Sequence, residues 1–180
     1  MKRGLKLASW GMVAALALVW LTVAQAQQPQ AHLVEARGII NPVMAGYLDK
    51  AITSAEREGA AVVIIQLDTP GGLDTSMRDI VQSILNASVP VVVYVSPPGA
   101  RAASAGVFIT MAAHIAAMAP NTAIGAAHPV SIGSQGQVES LDKTMEQKVV
   151  NDAVAYIKSS AQLRNRNMEW AEKAVRESVS

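Results

Sequence analysis

The run AVVIIQLDTP, residues 61–70, constrains the fold more than any other part of the chain. It is continuous and rich in β-branched residues, the mark of a strand covered on both faces, as in a parallel sheet. A second such run, VVVYVS, opens behind Pro90, and AHLVEARGII alternates enough to form a strand over about 32–40. Between AHLVEARGII and AVVIIQLDTP lies NPVMAGYLDKAITSAEREGA, with Asn41 as N-cap, Pro42 at the first helical position and Gly59 as the stop. Its apolar residues Val43, Tyr47, Leu48, Ala51 and Ile52 keep helical spacing. Gly71 and Gly72 then turn the chain into a second helix, LDTSMRDIVQSILNAS. Strands alternating with helices across short connections predict an α/β fold of layered, right-handed βαβ units around a largely parallel sheet.

Further along, Ser104 to Met118 reads as one helix, rich in Ala and Gly, that can pack close to a neighbouring backbone. A mostly loop segment follows, with a short strand around Thr122–Ile124 and a polar, Gly-rich GSQGQ stretch. The segment LDKTMEQKVVNDAVAYIKSSAQLRNRN predicts a long amphipathic helix with Met145, Val149, Ala153, Tyr156 and Ile157 on one face. A last helix, MEWAEKAVRES, ends the chain with no cap or closing strand, so the expectation is a domain truncated at its C-terminus.

The N-terminus addresses compartment. MKRGLK carries three positive charges, an uncharged stretch of eighteen residues follows, and Ala24-Gln25-Ala26 has the small residues of a cleavage site. Residues 1–26 therefore read as a secretory signal peptide, or an uncleaved anchor, and residues 27–180 as the domain it exports across the membrane. A net charge of +1, with 4% aromatic residues and no basic stripe, makes no case for nucleic-acid binding. The absence of cysteine excludes disulfides, thiol nucleophiles and thiolate metal sites.

In a parallel sheet, ligands gather at the carboxyl ends of the strands. Two loops at such ends carry unusual residues. In LDTPGG, the pair Gly71–Gly72 can present backbone N–H groups in conformations other residues adopt only at a cost, which suits an oxyanion, although Pro and Gly also make ordinary turns. In SPPGARAAS, Ser104 stands at a helix N-terminus, beside the amide of Ala105, where it is either an N-cap or a nucleophile. A nucleophile needs a base. His114 lies ten residues on, roughly 15 Å along the expected helix, and is out of reach. His128, after the short strand, could fold back, and Lys143, Lys148 and Lys158 on the long helix are the other candidates. Lys148, between Met145 and Val149 on the apolar stripe, is the best placed to be desolvated, with Asp152 one turn away to steady it or simply to pair on the surface.

The succession DTPGG, PPGARAASAG, AMAPNTAIGAAHPV and KVVNDAVAYIKSSAQLRNRN resembles the membrane-bound serine proteases of the NfeD type, within the wider Clp-protease and crotonase superfold. The resemblance covers nearly all of the chain past residue 32. It implies Ser104 as nucleophile, Lys148 as general base and an oxyanion hole formed by Gly71, Gly72 and the Ala105 amide, with no metal or organic cofactor. His128 lies 24 residues after Ser104, close to the serine–histidine spacing of soluble Clp proteases, and stays the alternative base. The family further implies cleavage of hydrophobic segments in membrane-associated, stomatin-like proteins and assembly as a homodimer or higher homo-oligomer. The rival readings are a non-catalytic scaffold that binds membrane proteins through the same groove, and acyl-thioester chemistry, which export out of the cytoplasm disfavours.

Overall fold

The computed structural model describes residues 28–132, 137–140 and 142–180, so the leader read at residues 1–26 lies outside the described residues. In chain order the elements are β1 (Ala31–Arg37), α1 (Pro42–Arg57), β2 (Val62–Asp68), α2 (Asp74–Asn86), β3 (Val91–Val95), β4 (Arg101–Ala103), α3 (Ala105–Ala112), β5 (Ile115–Met118), β6 (Ala123–Gly125), β7 (Ser131–Ile132), β8 (Val138–Glu139), α4 (Lys143–Leu163) and α5 (Met168–Arg176). Strands β1, β2, β3 and β5 form a parallel sheet in that order. A parallel pair β4–β6 and an antiparallel pair β7–β8 stand apart from it. The α/β class and its parallel sheet are as the βαβ pattern requires.

Local sequence accounts for the first half. Asn41 caps α1 through its Oδ1, which accepts the Met44 N–H at 2.9 Å, and Pro42 opens the helix where no donor is needed. Burial refines the pattern. Val63, Ile65 and Leu67 of β2 and Val91, Val93 and Val95 of β3 are wholly buried, whereas the residues between them are only half-covered. The sheet thus has one fully packed face rather than two. In α1 the buried stripe is Ala45, Leu48, Ile52 and Ala55, at the spacing i, i+3, i+7, i+10. Val43 (80% exposed) and Tyr47 belong to the solvent side, so the expected face was rotated by part of a turn.

The expected single helix over Ser104–Met118 is two elements. Helix α3 is entirely buried and stops at Ala112, after which Ile115–Met118 pairs with β3 as the sheet's edge. His114 makes the break: its N–H donates to the Val91 carbonyl at 3.0 Å, and its Nδ1 accepts the Val91 N–H at 3.2 Å. The carbonyls left without helical partners at the end of α3 are taken by two arginines that follow α4. Arg166 donates to the carbonyls of Thr110, Met111 and Ala113, and Arg164 donates from Nε to Ala112 at 2.9 Å. Positive charge at a helix C-terminus is favourable, and each bond from a charged donor contributes about 1.5–3 kcal/mol. These contacts lock the C-terminal end of α4 to α3.

Helix α4 begins at Asp142, whose carboxylate accepts the amides of Thr144 and Met145. Only its second half is packed, through Ala153, Val154, Ile157, Ser160 and Ala161. Met145 (46% exposed) and Val149 (37% exposed) leave the apolar stripe uncovered where Lys148 stands. No described helix is long and apolar enough to cross a membrane.

Candidate active site

Ser104 occupies a sharp strand-to-helix turn, between β4 and α3, with φ 52° and ψ −115°. A positive φ at a non-glycine residue costs on the order of 1–3 kcal/mol, and the surroundings must enforce it. They do so through the Ser104 amide, which donates to the carbonyl of Ala126 at 3.2 Å, and through the Thr69–Ala102 bridge, where the Ala103 amide donates to Thr69 at 3.1 Å. Ser104 precedes α3, yet its hydroxyl makes no capping bond. The N-cap reading therefore fails, and the half-exposed Oγ faces a cavity of about 470 Å³.

The loop Leu67–Gly72 is built against that serine. The fully buried Thr69 hydroxyl accepts the Gly71 N–H at 3.0 Å and donates to the Gly71 carbonyl at 3.2 Å. Gly71 takes φ +113°, and a Cβ there would lie 2.6 Å from the Ser104 Cβ. A Cβ on Gly72 would lie 2.0 Å from the carbonyl oxygen of Ile40, the residue it bridges in a parallel pair. Both glycines are therefore required, one by the Ser104 side chain and one by a neighbouring backbone. Their amides differ: that of Gly71 is taken by Thr69, while those of Gly72 and Ala105 have no acceptor among the described residues, and both residues line the cavity. Of the expected oxyanion donors, Gly71 thus supplies space rather than an N–H.

Lys148 lines the same cavity as Ser104, reaching it from α4, with Met77 and Phe108 forming part of its apolar wall. The expectation that packing desolvates Lys148 is corrected: it is exposed, because among the described residues the stripe on either side of it has nothing to pack on. Asp152 does not steady it, being paired instead with Arg78 of α2. Arg78 also binds Asp74 at 2.8 Å, and its guanidinium lies 4.4 Å from the centroid of the Tyr156 ring. Burial, the leading cause, pushes the Tyr156 phenol above its ordinary pKa, against the opposing effect of Arg78.

His128 is not among the residues lining this cavity. It borders a separate groove with Lys143 and Glu146, and its Nδ1 lies 2.9 Å from the Val175 carbonyl, to which the N–H tautomer donates. Lys158 points elsewhere again, pairing with Glu172 of α5. His114 is a structural residue outside the cavity, though it ends the helix rather than extending it. Burial first, and Arg164 second, hold its imidazole below the usual pKa, which suits a ring nitrogen that accepts a hydrogen bond. The sequence reading missed Thr69, Asp74 and Arg78. The Asp74–Arg78 spacing of one helical turn was a visible signal for that pair, but nothing local connects Arg78 to Asp152.

Comparison with known proteins shows the family and the fold. The family described as NfeD1b, N-terminal domain, matches residues 30–180. The membrane-bound protease PH1510 of Pyrococcus horikoshii is 41% identical over 150 residues, which cover 83% of this chain and 33% of that protein. The chain spans about a third of the length of the curated relatives it matches. Among solved structures, a serine-to-alanine mutant of the 1510-N membrane-bound stomatin-specific protease has a TM-score of 0.76 at 39% identity, covering 83% of this chain and 70% of the other. A lysine-to-alanine mutant of 1510-N in complex with a substrate peptide has a TM-score of 0.77 at 38% identity, covering 84% and 68%. ClpP1 from Listeria monocytogenes, 20% identical with a TM-score of 0.60 over 79% of this chain and 77% of that one, shares the fold. The chain belongs to the NfeD1b N-terminal domain family and carries its site on a ClpP-like fold.

Proposed function

We propose that the chain is a serine endopeptidase with a Ser104–Lys148 dyad, acting on hydrophobic segments of stomatin-like, membrane-associated proteins. The observation that carries the reading is the strained turn at Ser104, whose uncapped hydroxyl shares one cavity with Lys148 and two unpartnered amides. Neutral Lys148 takes the hydroxyl proton as Oγ attacks the peptide carbonyl. The amides of Gly72 and Ala105 hold the oxyanion, and the proton then passes to the leaving amine. Water, deprotonated by the same lysine, releases the acyl-enzyme. An apolar segment lying over Met145, Val149 and Val130, all exposed, would cover Lys148 and strip its water, which favours the neutral base. Substrate class and catalysis are thereby linked. The 1510-N structures support the assignment, being a serine mutant and a lysine mutant of a stomatin-specific protease. By the same kinship the domain works at a membrane, on the extracytoplasmic side to which its leader would export it, and as a homodimer or larger homo-oligomer.

A fluorophosphonate probe tests this. Labelling of the wild type, lost in Ser104→Ala, supports the nucleophile. Its collapse in Lys148→Ala but not in His128→Ala supports the base. Absence of labelling in the wild type would favour the scaffold reading, and undiminished labelling of Lys148→Ala would remove the lysine from the mechanism.

A further inference from the structure

We propose that Arg78 is a positioning residue that holds the carboxylates of Asp74 and Asp152 away from Lys148, leaving the base free of an ion pair. The inference rests on the Ser104–Lys148 reading and names a device that makes it workable. Lys148 and Asp152 are one turn apart on α4, the spacing at which opposite charges pair along a helix. Such a pair would keep the lysine an ammonium, useless as a base. Instead Asp152 is held by Nη2 of Arg78, which comes from α2, while Nε of Arg78 binds Asp74 at 2.8 Å. Stacking on Tyr156, at 4.4 Å, fixes the guanidinium plane so that its fork reaches both carboxylates. Lys148 makes no ion pair among the described residues.

The charged groups around Lys148 can be followed element by element. Asp152 lies on its own helix, and Asp74 and Arg78 reach the cavity from α2. Turn β4–α3 contributes Ser104, and the segment Ala127–Val130 contributes no charged group to the cavity, His128 facing the other groove. Glu146 borders that other groove as well, and Glu172 of α5 is occupied by Lys158 and Arg176. Asp152 and Asp74 are thus the carboxylates within the site, and one arginine binds both.

The test is the pH dependence of fluorophosphonate labelling of the full chain. Ser104 Oγ bonds to phosphorus, the P–F bond breaks, fluoride leaves and the serine proton passes to Lys148. The acid limb of the rate profile therefore reports the base. In Arg78→Gln the limb moves up by about one pH unit, the effect of an opposite charge brought close, so labelling below the limb falls about tenfold while the alkaline plateau is kept. Arg78→Gln combined with Asp152→Asn returns the limb to its wild-type position. The limb's position does not depend on how much protein is folded, so a partly unfolded variant still reads it. Should Arg78→Gln not fold at all, Asp152→Asn alone serves, its limb remaining in place or moving down. A uniform loss of rate at every pH in Arg78→Gln, or an upward limb in Asp152→Asn, overturns the proposal. Inactive Lys148→Ala with an unmoved limb in Arg78→Gln sinks the role of Arg78 alone, whereas an unchanged profile in Lys148→Ala sinks the dyad and this proposal with it.

Discussion

Gly71→Ala separates two costs that a glycine in an active-site loop can carry. Gly71 has φ +113° and Gly38 has φ +104°, so alanine is strained at both positions to a similar degree, on the order of 1–3 kcal/mol. Around Gly38 an added Cβ meets nothing within 4 Å, whereas at Gly71 it would stand 2.6 Å from the Ser104 Cβ and 3.1 Å from its Oγ. Gly38→Ala therefore measures the backbone cost alone. Gly71→Ala adds overpacking against Ser104, the proposed nucleophile, worth about a further 1–3 kcal/mol when the neighbour can give way only by moving its own strained turn. Relief of the clash displaces Ser104, and a shift of about 1 Å at a reacting group costs roughly a hundredfold in rate. Urea unfolding of both variants gives the stabilities, and the fluorophosphonate labelling rate of Ser104 reads the chemistry. The expected result is a comparable backbone loss in both, an extra loss in Gly71→Ala, and a labelling rate about a hundredfold lower in Gly71→Ala only. Equal labelling of the two variants would refute the claim that this loop is moulded on the serine.

Other consequences follow from the same contacts. Thr69→Val leaves the buried Gly71 N–H without its acceptor, at a cost of about 1–3 kcal/mol, and should slow labelling, while Thr69→Ser keeps the hydroxyl and recovers both; equal behaviour of the two variants contradicts the role given to the hydroxyl. Arg166→Lys cannot reach three carbonyls at once, so it should destabilise the fold by about 2–4 kcal/mol, close to Arg166→Met, and denaturation midpoints compare them. His114 predicts a pH effect of definite sign. Its folded pKa is lowered from 6.5, so the unfolded chain binds the proton more readily; stability is complete above pH 6.5, declines below it and levels off beneath the folded value. Urea midpoints between about pH 8 and about pH 5.5 should show this slope, and His114→Gln should flatten it.

Much of the framework is legible in the residues themselves. Caps, glycine stops and apolar runs are local signals, and they place β2, β3, α1 and α2 because each is decided by a few neighbouring residues. The suspicious address of Ser104 is local too, since the Pro- and Gly-rich loop SPPGARAAS runs straight into a helix of small residues, whereas β4, which sharpens that turn, forms by pairing with the distant β6. Contacts over long sequence distances settled the rest. Ile115–Met118 is apolar and short, equally good as the end of a helix or as a strand, and the free edge of β3 together with His114 made it a strand. Lys148 looked desolvated because an apolar stripe on a helix usually finds a partner, and only the packing of α4 shows that this end has none among the described residues. Asp152 had an available lysine one turn away, yet Arg78, 74 residues distant in sequence, binds it. Residue types alone limit which groups of the chain could do chemistry. Tertiary structure decided which of them meet, because ion pairs, edge strands and cavity walls depend on what the fold brings alongside, and no local periodicity encodes that.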